Sequence, residues 1–220
     1  MRILLALLLP LILAAAPARD WSTVATKQAN GAYLIGNPAA PVKLVEYGSY
    51  TCPHCGAFSV ESGPVLRGRL IRSGKVSLEY RHYVRDSADL AAALVARCAG
   101  PKGFAATSDR IFATQRDWLP RAADWSQANA ERMRMYPAPA RLRAEAEGAG
   151  LLAIGRTAGL TDARLDACLA DEAEADRLVA MTAAAPPSVV GTPSFLLNGR
   201  AVPGASWSAI QPALAAAGAR

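Results

Sequence analysis

Apolar positions along the chain follow two periods. Val42 to Tyr47 is a short, β-branched apolar run fed by the loop Asn37-Pro38-Ala39-Ala40-Pro41, and it reads as a strand. Gly48-Ser49-Tyr50-Thr51 breaks it. From Gly56 to Arg72 the residues Phe58, Val60, Val65, Leu66, Leu70 and Ile71 recur at mostly helical spacing, with Pro64 predicting a kink. Gly74 closes that helix, and Val76, Leu78 and Tyr80 alternate within Lys75 to Tyr83, the pattern of a second strand. Helical spacing then dominates from Arg85 to about Ala185. Asp86-Ser87 caps a helix carrying Leu90, Leu94 and Cys98 at four-residue steps, ended by Gly100-Pro101. A second helical segment holds Phe104, Ile111 and Phe112, and Pro137 and Pro139 mark a break. Leu142, Ala149, Leu152 and Ala153 span a helix from Ala140 to Gly159. Thr161-Asp162 opens another with Leu165, Cys168 and Leu169 on one face. Near the end, the X-Pro turn Thr192-Pro193 precedes the apolar run Phe195-Leu196-Leu197, a last strand.

The N-terminus has a different pattern. Met1-Arg2 is a positive start, Ile3 to Ala16 is almost uninterruptedly apolar, and Ala16-Pro17-Ala18 offers small residues at both positions a signal peptidase reads. This predicts a cleaved signal peptide over residues 1–18. The apolar run is about fourteen residues, short of the roughly twenty that cross a bilayer as a helix, which disfavours the alternative of an uncleaved anchor. Composition adds little beyond this. With 220 residues, 52% of them hydrophobic, the chain can build a real core and is neither disordered nor a disulfide-stapled mini-protein. Its net charge of +6 comes from scattered arginines, which fits a protein near anionic surfaces better than a nucleic-acid binder. The stretch from Arg132 to Arg143 reads as a solvated face, with peptide binding as its functional alternative.

Export changes the meaning of the four cysteines, because disulfides persist outside the cytosol. Cys52-Pro53-His54-Cys55 falls between strand and helix, with Pro53 where a first helical turn tolerates proline. A thiol at a helix N-terminus faces unpaired N–H groups and the positive end of the dipole, and both favour the nucleophilic thiolate. Cys52, the outer residue, is therefore the predicted attacker, and Cys55, one turn in, the resolving thiol. His54 adds a polar, cation-capable neighbour to Cys52. A strongly stabilised thiolate makes the corresponding disulfide a strong oxidant. The rival readings are half of a zinc site and a purely structural disulfide. Zinc lacks a second close ligand pair, since His82 is the only other histidine, and a short disulfide loop gains little entropically. Cys98 and Cys168 lie on apolar helix faces, where a pair of buried free thiols competes with a bridge.

The Glu46-Tyr47 to Cys55 block resembles the active-site region of the DsbA family of thioredoxin-fold oxidoreductases. Gly191-Thr192-Pro193-Ser194-Phe195-Leu196-Leu197-Asn198-Gly199 is similar to that family's cis-proline loop and following strand. The resemblance implies an α/β thioredoxin-like fold with an inserted helical subdomain. Its parts would be the signal peptide at 1–18, an N-terminal thioredoxin-fold part at 19–84, the helical insertion at 85–185 and a C-terminal part at 186–220. It also implies a cis bond at Pro193, a Thr192 backbone free to pair with an extended substrate, and a helical-subdomain disulfide between Cys98 and Cys168. Glu46 would lie beneath the active pair and move protons to or from the buried cysteine, against the alternative of a solvated edge-strand glutamate. The function implied is a periplasmic oxidase that introduces disulfides into reduced exported proteins. A membrane reoxidase resembling DsbB would be its partner, and no metal or organic cofactor is involved. Only Arg19 to Ala32 precede the first expected strand near Tyr33, which leads to the expectation of a monomer and disfavours an isomerase built on a dimerisation domain. An isomerase or reductase of the same fold remains the alternative, followed by a periplasmic peptide- or metal-binding module.

Overall fold

The computed structural model describes residues 19–220; residues 1–18, the segment expected to be a signal peptide, lie outside the described residues. The apolar run read from the sequence becomes β3 (Val42–Gly48), and the alternating run becomes β4 (Val76–His82). These two pair in parallel, with Glu46 opposite Tyr80, and a parallel pair needs a crossover. The crossover is α1 (Pro53–Val65) followed by a π-helical turn, Leu66–Ile71. The sequence predicts one kinked helix here. The structure instead ends the α-helix just after Pro64, whose nitrogen has no hydrogen to donate, and widens the next turn to π geometry.

Around this pair the sheet runs β1-β2-β4-β3-β5-β6, with every other pairing antiparallel. The flanking strands are β1 (Ala25–Lys27), β2 (Tyr33–Gly36), β5 (Ser194–Leu197) and β6 (Arg200–Val202). The expectation of a first strand near Tyr33 is corrected by β1, which precedes it. β1 has three residues and only Ala25 buried, too short to carry a period. β3 is therefore a central strand. Its Val42 and Leu44 enter the main hydrophobic core, while Val45 and Tyr47 face a smaller cluster with Val189.

Seven helices lie between β4 and β5. They are α2 (Ser87–Cys98), α3 (Gly100–Ala113), α4 (Gln115–Met133), α5 (Ala138–Ala149), α6 (Leu151–Thr157), α7 (Asp162–Leu169) and α8 (Glu172–Ala183). The predicted caps act as such: Asp86 accepts from the Asp89 amide and Thr161 from the Arg164 amide. The expected helix from Ala140 to Gly159 is two helices, because Gly150 takes φ +82°, a left-handed conformation that ends the first. α9 (Trp207–Ala216) follows β6 and packs Trp207 near Phe58 of α1, ring centroids 6.1 Å apart. No described helix is long and apolar enough to cross a membrane.

Candidate active site

Cys52 is the N-cap of α1, with extended backbone (φ −87°, ψ 117°), and Pro53 occupies the first turn without forfeiting a bond. Its carbonyl starts the helix ladder by accepting from Gly56 N–H at 3.2 Å. Both active-site cysteines are free thiols with little exposure: Cys52 is 3% exposed and Cys55 fully enclosed. Their acidities diverge. The Cys52 thiol is lowered from 9.0 to about 5, chiefly by a hydrogen bond from Cys55; burial opposes this, and Thr192 and the backbone N–H groups of Cys55 and His54 assist. Burial is what pushes the Cys55 thiol far up, reinforced by the same bond to Cys52 and by the Glu46 charge. At neutral pH the pair is thus one thiolate beside one thiol.

His54 is exposed on the first turn. The sequence reading credits its imidazole, whereas here it is the His54 backbone amide that favours the Cys52 thiolate. A helix start supplies that amide whatever side chain it carries.

Thr192 and Pro193 lie across the pair, on the loop entering β5. Their peptide bond is cis, Pro193 is buried, and Ser194 Oγ donates to Gly191 O at 2.6 Å. Thr192 acts on Cys52 in two opposed ways. Its side chain favours the thiolate, while its carbonyl, 3.2 Å from Sγ, accepts only from the protonated thiol.

Glu46 is not a solvated edge-strand residue. β3 lies between β4 and β5, which set Glu46 between Tyr80 and Phe195, and it is 4% exposed. Its Oε1 has no hydrogen-bond partner. Burial raises its carboxyl from 4.5 to about 8, partly opposed by Arg67. It lines a cavity of about 420 Å³ between the sheet, α1, the π turn and α3, beside the Arg67–Asp109 ion pair at 2.8 Å.

Two residues absent from the sequence reading hold the loop that delivers Cys52. Asp89, on α2, accepts from Ser49 Oγ at 2.6 Å, Tyr50 N at 2.7 Å and Arg85 N at 3.1 Å. Burial lifts its carboxyl to about 7 against those bonds. Ser49 N in turn lies 3.5 Å from Cys55 Sγ, so Asp89 anchors a contact to the buried thiol. Gln115, at the start of α4, donates from Nε2 to Tyr50 O at 2.6 Å and to Cys52 O at 2.9 Å. Asp89 also takes part in the local cap at Asp86, but the bonds by which Asp89 and Gln115 reach the loop join residues 39 to 65 apart and carry no periodic signal.

The other cysteines lie apart from this site. Cys98, at the end of α2, and Cys168, on α7, are joined by a disulfide with a Cα–Cα separation of 5.7 Å. Their sulfurs are therefore unavailable to the zinc set weighed from the sequence. His82 sits in the core, its ring 5.0 Å from that of Tyr80.

Comparison with known proteins agrees with this geometry. The profile of a family described as Thioredoxin matches residues 28–216. The crystal structure of a protein-disulfide isomerase from Novosphingobium aromaticivorans is 35% identical with a TM-score of 0.78, covering 86% of this chain and 98% of that one. Wolbachia pipientis alpha-DsbA1 shares the fold at 20% identity and a TM-score of 0.64, over 83% of this chain and 88% of that one. A Rickettsia typhi protein named as a protein-disulfide oxidoreductase is 29% identical over 172 residues, 77% of this chain and 56% of that protein. The chain thus spans about half the length of the curated relatives it matches. With a dithiol at a helix start facing a cis-proline loop, and the thioredoxin profile matched over residues 28–216, the chain belongs to the thioredoxin family.

Proposed function

We propose that this protein is a thiol–disulfide oxidase that introduces disulfides into reduced proteins exported to the periplasm. The observation that carries this reading is the opposed acidity of the two thiols, Cys52 at about 5 and Cys55 raised by burial. A stabilised Cys52 thiolate favours the reduced enzyme, which makes the Cys52–Cys55 disulfide a strong oxidant. In the forward step a substrate thiolate attacks Cys52 Sγ, forming a mixed disulfide while the Cys52–Cys55 bond breaks and Cys55 leaves as a thiolate. In this reading Glu46, whose carboxyl burial raises to about 8, gives that thiolate a proton. The second substrate thiolate then attacks the substrate sulfur of the mixed disulfide. Cys52 leaves as a thiolate and the substrate keeps its new disulfide. The backbone of Thr192 positions the extended substrate beside Cys52, and Pro193 shapes that loop. Two electrons pass from substrate to enzyme in each turn, and a membrane reoxidase resembling DsbB removes them. Cys98–Cys168 takes no part in exchange and serves the insert's stability.

The isomerase described for the Novosphingobium relative supports a second reading, in which the same dithiol reshuffles wrong disulfides. The Cys52/Cys55 reduction potential, measured against glutathione, separates the two. An oxidase gives a potential well above that of thioredoxin (about −270 mV), oxidises a reduced test protein rapidly and restores scrambled ribonuclease slowly. A potential as low as that of thioredoxin, or efficient recovery of scrambled ribonuclease, overturns the oxidase assignment.

A further inference from the structure

The loop Ser49 to Cys52 has the sheet on one side and the helical insert on the other, and the insert supplies a donor to it. Gln115 Nε2 makes bonds of 2.6 and 2.9 Å to the carbonyls of Tyr50 and Cys52. Gln115 is buried, at 5% exposure. Gly56 makes room for it: a Cβ at that position would stand 2.3 Å from Gln115 Oε1. The first turn of α1 is therefore shaped to admit an amide from a helix whose first residue lies 63 positions beyond Cys52.

We propose that Gln115 is a positioning residue for the attacking thiol, acting through the Cys52 and Tyr50 carbonyls, and that Gly56 is the residue that lets it reach them. The physical chain has two links. The two N–H bonds set the positive end of an amide dipole beside Cys52, which favours negative charge on its sulfur. They also hold the Cys52 carbonyl in line with Gly56 N–H, so that the amides of His54 and Cys55 stay directed at Sγ. The insert thereby takes part in the chemistry of a dithiol on another part of the fold.

The inference rests on Cys52 being the attacking thiol, and its test reads acidity rather than turnover, so it can fail independently of the oxidase assignment. The titratable groups around Cys52 are Cys55 and His54 on α1 and Glu46 on β3, and none of them is altered in the test. Gln115→Met keeps the side chain's length and removes both donors. In the reduced full-length protein, the thiolate absorbance of Cys52 followed against pH should show its acid dissociation constant falling roughly three- to tenfold, the scale of one net hydrogen bond. Gly56→Ala, which leaves residue 115 untouched but pushes its amide aside, should reproduce that shift. The double variant should add little to either single change, because both remove the same contact. In the unaltered protein, the side-chain amide resonances of Gln115 should move with the Cys52 titration, a readout that needs no variant to fold. A folded Gln115→Met protein with an unmoved Cys52 midpoint overturns the proposal, even if its melting temperature drops. So does full additivity of the two changes, or a Gln115 amide indifferent to Cys52 ionisation.

Discussion

Two pairs of cysteines stand in one chain under opposite conditions. Cys52 and Cys55 lie at a helix start, within reach of amide donors, a threonine and a buried carboxyl. Cys98 and Cys168 close the ends of two helices, and Cys98 Sγ has one polar neighbour, the Arg164 carbonyl at 3.4 Å. A carbonyl can only accept, so this contact does not stabilise a thiolate on Cys98. The first environment sets one thiol's acidity far from the other's, and the second leaves two sulfurs bonded to each other. Reactivity thus follows from the donors that the fold brings to a sulfur, since the side chains themselves are identical.

The sharpest way to break this comparison is to remove the nucleophile. Cys52→Ser should abolish oxidation of a reduced test protein, whereas Cys55→Ser should accumulate trapped mixed disulfides visible on non-reducing gels. Retained oxidase activity in Cys52→Ser would mean that the helix start does not select the attacker.

Next in size is the other pair. Replacing Cys98 and Cys168 by alanine reopens a loop with a sequence separation of 70 and should cost roughly 4 kcal/mol of unfolding free energy in urea. Exchange through Cys52 should be nearly unchanged in that variant. A comparable loss of exchange rate would make the second pair part of the mechanism. Intact-mass labelling after mild reduction should likewise find two alkylated cysteines and not four.

A smaller effect tests the carboxyl under the active pair. Burial raises Glu46 from 4.5 to about 8, so the folded state holds this proton more tightly than the unfolded chain does. That stabilisation is complete below about pH 4.5 and is lost as pH rises through about 8. A glutamine cannot ionise there. Glu46→Gln should match the parent at pH 4 and exceed it at pH 8.5 by about 2 kcal/mol, a figure reduced from the full shift because a cavity of this size admits water. A variant less stable at pH 8.5 would show that the carboxylate has a partner in the folded state.

The smallest change concerns the loop facing Cys52. Thr192→Val removes the side-chain contribution that favours the thiolate and leaves the carbonyl that favours the thiol. The Cys52 midpoint should rise by the equivalent of about 1 kcal/mol, one net hydrogen bond. An unmoved midpoint would assign the whole Thr192 contact to its backbone.

Much of the fold was legible because its signals are local. The β-branched run of β3, the alternation of β4, the caps at Asp86 and Thr161 and the spacing of Cys52-Pro53-His54-Cys55 are each contained in a short window. The two blocks of family resemblance then supplied the long-range facts, the cis bond at Pro193 and the helical insert between β4 and β5. What stayed hidden depends on contacts between distant segments. Asp89 and Gln115 look like ordinary helix residues until tertiary packing brings the loop from Ser49 to Cys52 against them. Glu46 could be read as edge or centre, because strand order is not written in the strand itself. Strand β1 buries one residue of three, and the Pro64 kink predicts a disturbance without saying that the next turn becomes π-helical.

The pairing of β5 with β3 has a further consequence, for the order in which the site is assembled during synthesis. A chain made from its N-terminus emerges with Cys52 and Cys55 well before residue 192, and Thr192 meets Cys52 only after 140 positions have been added. The loop-holding residues arrive in between, Asp89 first and Gln115 next, so the thiol acquires its surroundings in stages. The last stage is the alignment of Phe195 opposite Glu46, which brings the cis-proline loop over a helix start already in place. A nascent chain still lacking β5 therefore has the dithiol without Thr192 beside it, and the finished site appears only when β5 docks.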